Sequence, residues 1–131
     1  MRVARDVSLH RFNSFGIRST AREVVQIDSV ADLESVTFDP MTDLVLGGGS
    51  NLLLVGDFAG TVVLNRLSGM RLLEDDGTNA IVECAAGEVW HSLVLWSLAR
   101  GFSGLENLSL IPGLSGAAPM QNIGAYGVEL S

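Results

Sequence analysis

Apolar and polar positions along the chain change their spacing several times, and each change marks an element. Glu23-Val24-Val25-Gln26-Ile27-Asp28 is a short apolar run bounded by charge and reads as a strand. Ser29 follows with Asp32 three residues on, a capping-box-like helix start. Val30, Leu33 and Val36 then recur at helical spacing, with Pro40 beyond the end. Thr42 to Leu46 is a second apolar run and stops at Gly47-Gly48-Gly49-Ser50-Asn51, so it reads as a buried strand entering a glycine turn. Strand, helix and strand in this order predict a small β-α-β unit with its two strands paired in parallel. A short apolar segment, Leu52 to Val55, leads through a turn flanked by Asp57 and Gly60 to a further strand, Thr61 to Asn65.

The second half opens differently. Met70 to Glu74 and Ala80 to Ala85 flank Asp75-Asp76-Gly77-Thr78-Asn79, the pattern of a hairpin. Gly87 precedes a helix predicted from about Glu88 to Arg100, with Val89, Leu93, Trp96 and Leu98 on its apolar face and Gly101 as the residue that ends it. Gly104 to Leu108 reads as a turn or short helix. Residues 1–22 read as an extended arm or turn whose Phe12, Phe15 and Ile17 dock on the body. There is no internal repeat and no linker. The expected organisation is one domain over 1–131, with one subdomain at about 20–67 and a second, incomplete one at about 68–131.

Residues 110–127 fit neither period. This stretch holds four glycines, two prolines, three alanines and no charge. A linker would be more polar, a helix would not tolerate so much Gly and Pro, and a central strand would not hold two prolines. The composition predicts a buried, irregular backbone, either closing over a sheet or wrapping a ligand that glycine allows to come close. The residues after it, Tyr126 to Ser131, read as the start of a further element, which suggests a truncated protein.

Composition narrows the function. Hydrophobic residues make up 47% of 131, so the chain is globular, and a net charge of −7 disfavours nucleic acid, which needs a basic footprint. All eight basic residues are Arg; without Lys there is neither a P-loop lysine nor a lysine Schiff base. Cys84 stands alone in an apolar run and reads as a buried strand cysteine. His10 and His91 are far apart, with no acid or thiol at ligand spacing, so no metal site is expected. No signal core and no run of 18 apolar residues occurs, so neither a membrane span nor export is expected and the cytoplasm is the default.

The turn Gly47-Gly48-Gly49-Ser50-Asn51 offers backbone N–H donors and small polar side chains, which suits a pyrophosphate. It is not a dinucleotide fingerprint of the Gly-x-Gly-x-x-Gly type, because Leu52 stands where the third glycine belongs. A plain tight turn is the competing reading. Two such glycine-rich segments together suit a dinucleotide, which needs donors from more than one direction and a cradle for its flat ring.

Asn13-Ser14-Phe15-Gly16-Ile17, Gly47 to Leu53, Gly104-Leu105-Glu106-Asn107-Leu108, Ile111-Pro112-Gly113 and Gln121 to Glu129 occur in the order found in one enzyme family. Over residues 9–131 the chain resembles the UDP-N-acetylenolpyruvoylglucosamine reductases (MurB) of peptidoglycan synthesis. The resemblance implies an α+β fold, the FAD-binding domain of p-cresol methylhydroxylase-like flavoproteins, made of two α+β subdomains with FAD between them. It implies that Gly47, Gly48, Gly49, Ser50, Asn51 and Leu52 contact the FAD pyrophosphate. It further implies that Ile111, Pro112, Gly113, Ser115, Gly116, Ala117, Ala118, Ile123, Gly124, Ala125, Tyr126, Gly127 and Val128 line the flavin and its ribityl-phosphate tail. NADPH is then the hydride donor, and a UDP-sugar bearing an enolpyruvyl group the acceptor. The family's proton-donor serine, its glutamate and its Tyr-Arg motif fall beyond residue 131, so no catalytic residue is assigned here, and Glu106 is expected to be a structural acid. Another flavoprotein oxidoreductase of the same superfamily, or a non-catalytic nucleotide-binding module, remains the alternative.

Overall fold

A computed structural model describes residues 1–130. The chain divides into two compact units, Met1–Leu67 and Ser68–Ser131.

The first unit is built on a four-stranded sheet: β1 (Arg2–Ser8), β2 (Thr20–Ile27), β3 (Leu44–Leu46) and β4 (Phe58–Asn65), in the order β1-β2-β4-β3. β1 runs antiparallel to β2, while β2 and β3 both run parallel to β4. The strand–helix–strand reading is therefore right in direction and wrong in neighbour, because β4 lies between the two strands it joined. Sequence explains why β4 is central. Val62, Val63 and Leu64 are consecutive and all buried, which only a strand covered on both faces sustains. Val62 and Leu64 pack with Leu9, Ala21, Val24, Leu46 and Leu54. β3 is an edge, and Val45 on it is exposed.

Helix α1 (Val30–Ser35) starts as expected: Ser29 Oγ accepts from Asp32 N–H, and Asp32 reaches back to the N–H of Ser29. Its apolar stripe is not buried, however; Val30 and Leu33 face out. The N-terminal arm is partly regular, since Arg2–Ser8 of it is the edge strand β1. Phe12 and Ile17 do pack against the core, but Phe15 is 63% exposed.

What fixes the arm is Asn13. Its amide Nδ2 donates to the carbonyls of Leu9 (2.8 Å) and Ile17 (3.0 Å), and its Oδ1 accepts from Ile17 N–H (2.9 Å). The side chain is buried and ties residues 9–17 into a loop. Ser14 N–H then donates to the Gly49 carbonyl at 3.0 Å, so this loop lies directly on the glycine turn.

The second unit holds the expected hairpin, β5 (Met70–Asp75) with β6 (Ala80–Cys84), antiparallel. Asp76 closes its turn by accepting from the N–H groups of Thr78 and Asn79. Helix α2 spans Trp90–Leu98 and buries Trp90, Leu93, Val94 and Ser97. The expected face is thus rotated: Val89 and Leu98 are exposed, and Trp90 takes the core with its indole N–H donating to the Leu108 carbonyl at 2.8 Å. The helix stops at Leu98, two residues short of the expected Arg100, and Gly101 closes the turn that follows, with Gly101 N–H bonding Leu98 C=O, Phe102 N–H bonding Ser97 C=O, and the Phe102 ring against Trp96. A 3-10 turn (Glu106–Leu108) follows. Gly124–Ala125 (β7) and Val128–Glu129 (β8) form a small hairpin around Tyr126-Gly127, both with positive φ. The residue after Leu130 in the expected further element lies outside the described residues. Among the described residues no helix is long and apolar enough to cross a membrane.

Two outcomes follow. Asp43 accepts from the backbone N–H groups of Asp39 (3.0 Å) and Thr61 (3.1 Å), which holds its carboxyl below the ordinary 3.8. A depressed carboxyl stabilises the fold above its unfolded value, and that stability is lost as pH falls through the folded value. Urea titrations from about pH 7 to about pH 3 should therefore show the Asp43→Asn variant weaker at neutrality and converging on the parent in acid. Parallel curves would contradict the assignment. The second outcome concerns Gly49, at φ +63, where a Cβ would sit 2.0 Å from the Phe12 carbonyl oxygen. Gly49→Ala should cost at least about 2 kcal/mol in the same assay, whereas Gly56→Ala, with open space around it, should stay within about 0.5 kcal/mol.

Candidate functional site

The two segments singled out by sequence lie one in each unit. In the first, β3 delivers the chain into Gly47-Gly48-Gly49-Ser50-Asn51. Gly49 is buried and turned inward, where its carbonyl accepts the Ser14 N–H and its α-carbon sits under Phe12. Any side chain at 49 would lift the arm off the turn. Gly48 and Asn51 instead lie exposed, and among the described residues their N–H groups bond to no other protein group. Leu52 packs against the core and anchors the far end. The turn thus has an inner glycine locked to the arm and an outer surface of small, uncharged residues.

The second segment is held by β-like contacts with the start of α2. Trp90 N–H donates to Gly113 C=O (3.1 Å) and Ser115 N–H donates to Glu88 C=O (2.8 Å), around a bridge between Val89 and Leu114. Gly116 N–H bonds Ala86 C=O at 3.0 Å, and a Cβ on Gly116 would come 2.5 Å from the Ala86 Cβ. Backbone meets backbone here with no space for a side chain. Ala117, Ala118 and Ile123 continue the chain through turns in which Ile123 N–H bonds Ala118 C=O.

Burial along 110–127 corrects the sequence reading. Leu114, Ala118 and Ile123 are buried, and Ile111 and Ala125 pack against the same core. Pro112, Gly116, Gly124 and Gly127 are exposed, and Tyr126 and Met120 are each 90% exposed. The segment is a surface with an anchored underside. Its composition suggested burial because its residues are apolar, but they are mostly too small to form a core of their own.

Two side chains that sequence separated from this segment reach it in space. Cys84 Sγ lies 3.3 Å from Ser115 Oγ, and its partial burial pushes the thiol up. His91 Nδ1 accepts from Leu110 N–H at 3.2 Å and lies 3.2 Å from Ser109 Oγ. Ser14 and His91 were missed as site residues because each acts on backbone far from it in sequence, whereas Asn13 works locally, on Leu9 and Ile17 four residues to either side. Glu106 accepts from the Gly104 N–H and is held below its ordinary value by backbone hydrogen bonds, as befits a structural acid.

Neither segment contains a charged side chain over 47–52 or 111–128. An anion bound there would rest on backbone amides and small polar groups. Among the described residues no three His, Cys, Asp or Glu side chains gather as for a metal. A cavity of about 710 Å³ opens beside the C-terminal end of α2, between Thr78, Val82, Leu93, Phe102 and Leu105, and its walls include none of residues 47–52 or 111–128.

Residues 21–131 match the FAD binding domain family. The chain is 54% identical over 129 residues to the UDP-N-acetylenolpyruvoylglucosamine reductase of Chromobacterium violaceum, covering 95% of this chain and 38% of that protein. It is 52% identical over 132 residues to the reductase of the same name from Pseudomonas fluorescens, covering 98% and 39%. The crystal structure of UDP-N-acetylenolpyruvylglucosamine reductase (MurB) from Thermus caldophilus superposes with a TM-score of 0.75 at 30% identity, covering 98% of this chain and 45% of that one. The chain spans roughly two-fifths of the length of the curated relatives it matches. Its mixed α+β architecture, the two glycine-rich segments and the match over 21–131 make this chain a member of the FAD binding domain family.

Proposed function

We propose that this chain is the FAD-holding part of a UDP-N-acetylenolpyruvoylglucosamine reductase, the NADPH-dependent enzyme that makes UDP-N-acetylmuramate for peptidoglycan. The observation that carries this is the close identity to reductases of that name across nearly the whole chain, both glycine-rich segments included. The geometry fits a dinucleotide. Gly48 and Asn51 lie exposed, with N–H groups that bond to no other protein group among the described residues, on a turn whose inner glycine is locked, which suits a pyrophosphate. In the second segment, Gly113, Gly116, Ala117, Gly124 and Gly127 form a low surface over which a flat ring can lie close to the backbone.

In this reading Gly47 to Leu52 hold the pyrophosphate. Ile111 to Gly113, Ser115 to Ala118 and Ile123 to Val128 line the ring and its ribityl-phosphate tail. Bound FAD supplies hydride transfer, and the chain supplies binding and orientation. Ile111, Ala118, Ile123 and Ala125 fix the segment from beneath through the core of their unit. Ser115 Oγ, close to Cys84 Sγ, is kept at the edge of the segment. None of these residues is an acid or base suited to proton transfer at the substrate. The donor of that proton, the NADPH contacts and the UDP-sugar contacts belong to other parts of the full-length enzyme, which acts in the cytoplasm.

Titrating FAD into the protein should raise its melting temperature, with a stabilisation of about 2.7 kcal/mol once FAD reaches about 100 times its Kd. A melting curve indifferent to FAD would contradict the reading. The 131-residue chain loaded with FAD should not oxidise NADPH in the presence of the enolpyruvyl UDP-sugar. Turnover by this chain alone would show that the catalytic groups lie within it.

A further inference from the structure

The segment 110–127 begins with a strained residue. Leu110 has φ +64, a left-handed conformation unfavourable for a residue with a Cβ, and its side chain is exposed, so packing does not hold it there. Its N–H is held by a side chain of α2: it donates to His91 Nδ1 at 3.2 Å, and Ser109 Oγ shares the same nitrogen at 3.2 Å. A backbone N–H can only donate. Nδ1 must therefore carry no proton, and the imidazole is neutral with its hydrogen on Nε2. Next along the chain, Ile111 packs on the core and Gly113 C=O accepts the Trp90 N–H, so the conformation of Leu110 sets how the segment leaves the 3-10 turn.

Titratable groups of the neighbouring elements have partners of their own. The acid on its own helix side, Glu88, accepts from the Gly69 N–H; on the 3-10 turn, Glu106 accepts from the Gly104 N–H; on β6, the Cys84 thiol faces Ser115. Arg100, at the far end of α2, stacks over the Trp96 ring. Among the described residues no ion pair includes His91.

We propose that His91 is a positioning residue for the FAD-holding segment: its Nδ1, as the acceptor of the Leu110 N–H, locks the left-handed Leu110, and loss of that acceptor releases the lock and weakens FAD binding. This rests on the FAD reading above and adds to it a residue.

The test has two arms. In the free protein, NMR compares exchange of the Leu110 amide in wild type, in His91→Asn, whose Oδ1 can replace Nδ1 as acceptor, and in His91→Leu, which offers none. The amide should exchange as slowly in the Asn variant as in wild type and faster in the Leu variant. A Leu110 amide unchanged in the Leu variant overturns the proposal and leaves the FAD reading intact. In the second arm, FAD affinity is measured by flavin fluorescence. His91→Asn should bind within about threefold of wild type, and His91→Leu about tenfold more weakly, the size expected for one backbone hydrogen bond lost. A Leu variant that binds like wild type, or an Asn variant as weak as the Leu variant, overturns the proposal alone. Absence of FAD binding by the wild-type protein overturns the FAD reading and the proposal with it.

Discussion

Each of the two glycine-rich segments depends on a glycine packed so closely on its neighbour that a side chain has no room. At Gly49 the neighbour is the Phe12 carbonyl, and at Gly116 it is Ala86. Both contacts are carried by hydrogen bonds between main-chain groups, Ser14 to Gly49 and Gly116 to Ala86. Glycine is required there because a Cβ would stand 2.0 Å and 2.5 Å from the opposing atoms. The two locked glycines differ in exposure: Gly49 is buried against the arm, whereas Gly116, held on Ala86, lies exposed with the other small residues of its segment, where a ligand can approach the main chain.

The anchors behind these contacts are polar and buried. Asn13 satisfies three backbone groups at once, so the loop it closes is defined without a large apolar residue. Removing such a side chain leaves buried carbonyls without donors, which costs more than the bonds themselves contributed. Trp90 does the same for the second unit, filling the core with its ring while its N–H holds Leu108 just ahead of the glycine-rich segment. His91, one residue later on α2, reaches the first residue of that segment. One helical turn therefore sets both the depth and the entry of the surface assigned to the flavin.

Local features were legible in the sequence and non-local ones were not. The Ser29–Asp32 cap and the hairpin around Asp76 are each decided within a few residues, and each stands where the pattern put it; the end of α2 falls within two residues of its expected place. The placing of β4 between β2 and β3 depends on sheet pairing across tens of residues, which spacing does not encode. The face of α2 was misread because Val89 to Leu98 is apolar nearly all round, so periodicity could not choose between Trp90 and Val89. The 47–51 turn and the 110–127 segment were recognisable as special from composition. Their exposure was not, since a run of small apolar residues looks alike whether it lines a core or a cofactor. His91 stayed invisible because its partner is a backbone N–H nineteen residues away.

The central claim is that these two segments hold FAD through their main chain. Amide hydrogen exchange with and without FAD tests it residue by residue. The account predicts that added FAD slows exchange at the amides of 47–52 and 111–128, Gly48 and Asn51 among them, while the β1 edge and the β5–β6 turn exchange as before. Protection confined to other parts of the chain, or none at FAD concentrations that shift the melting temperature, would contradict it.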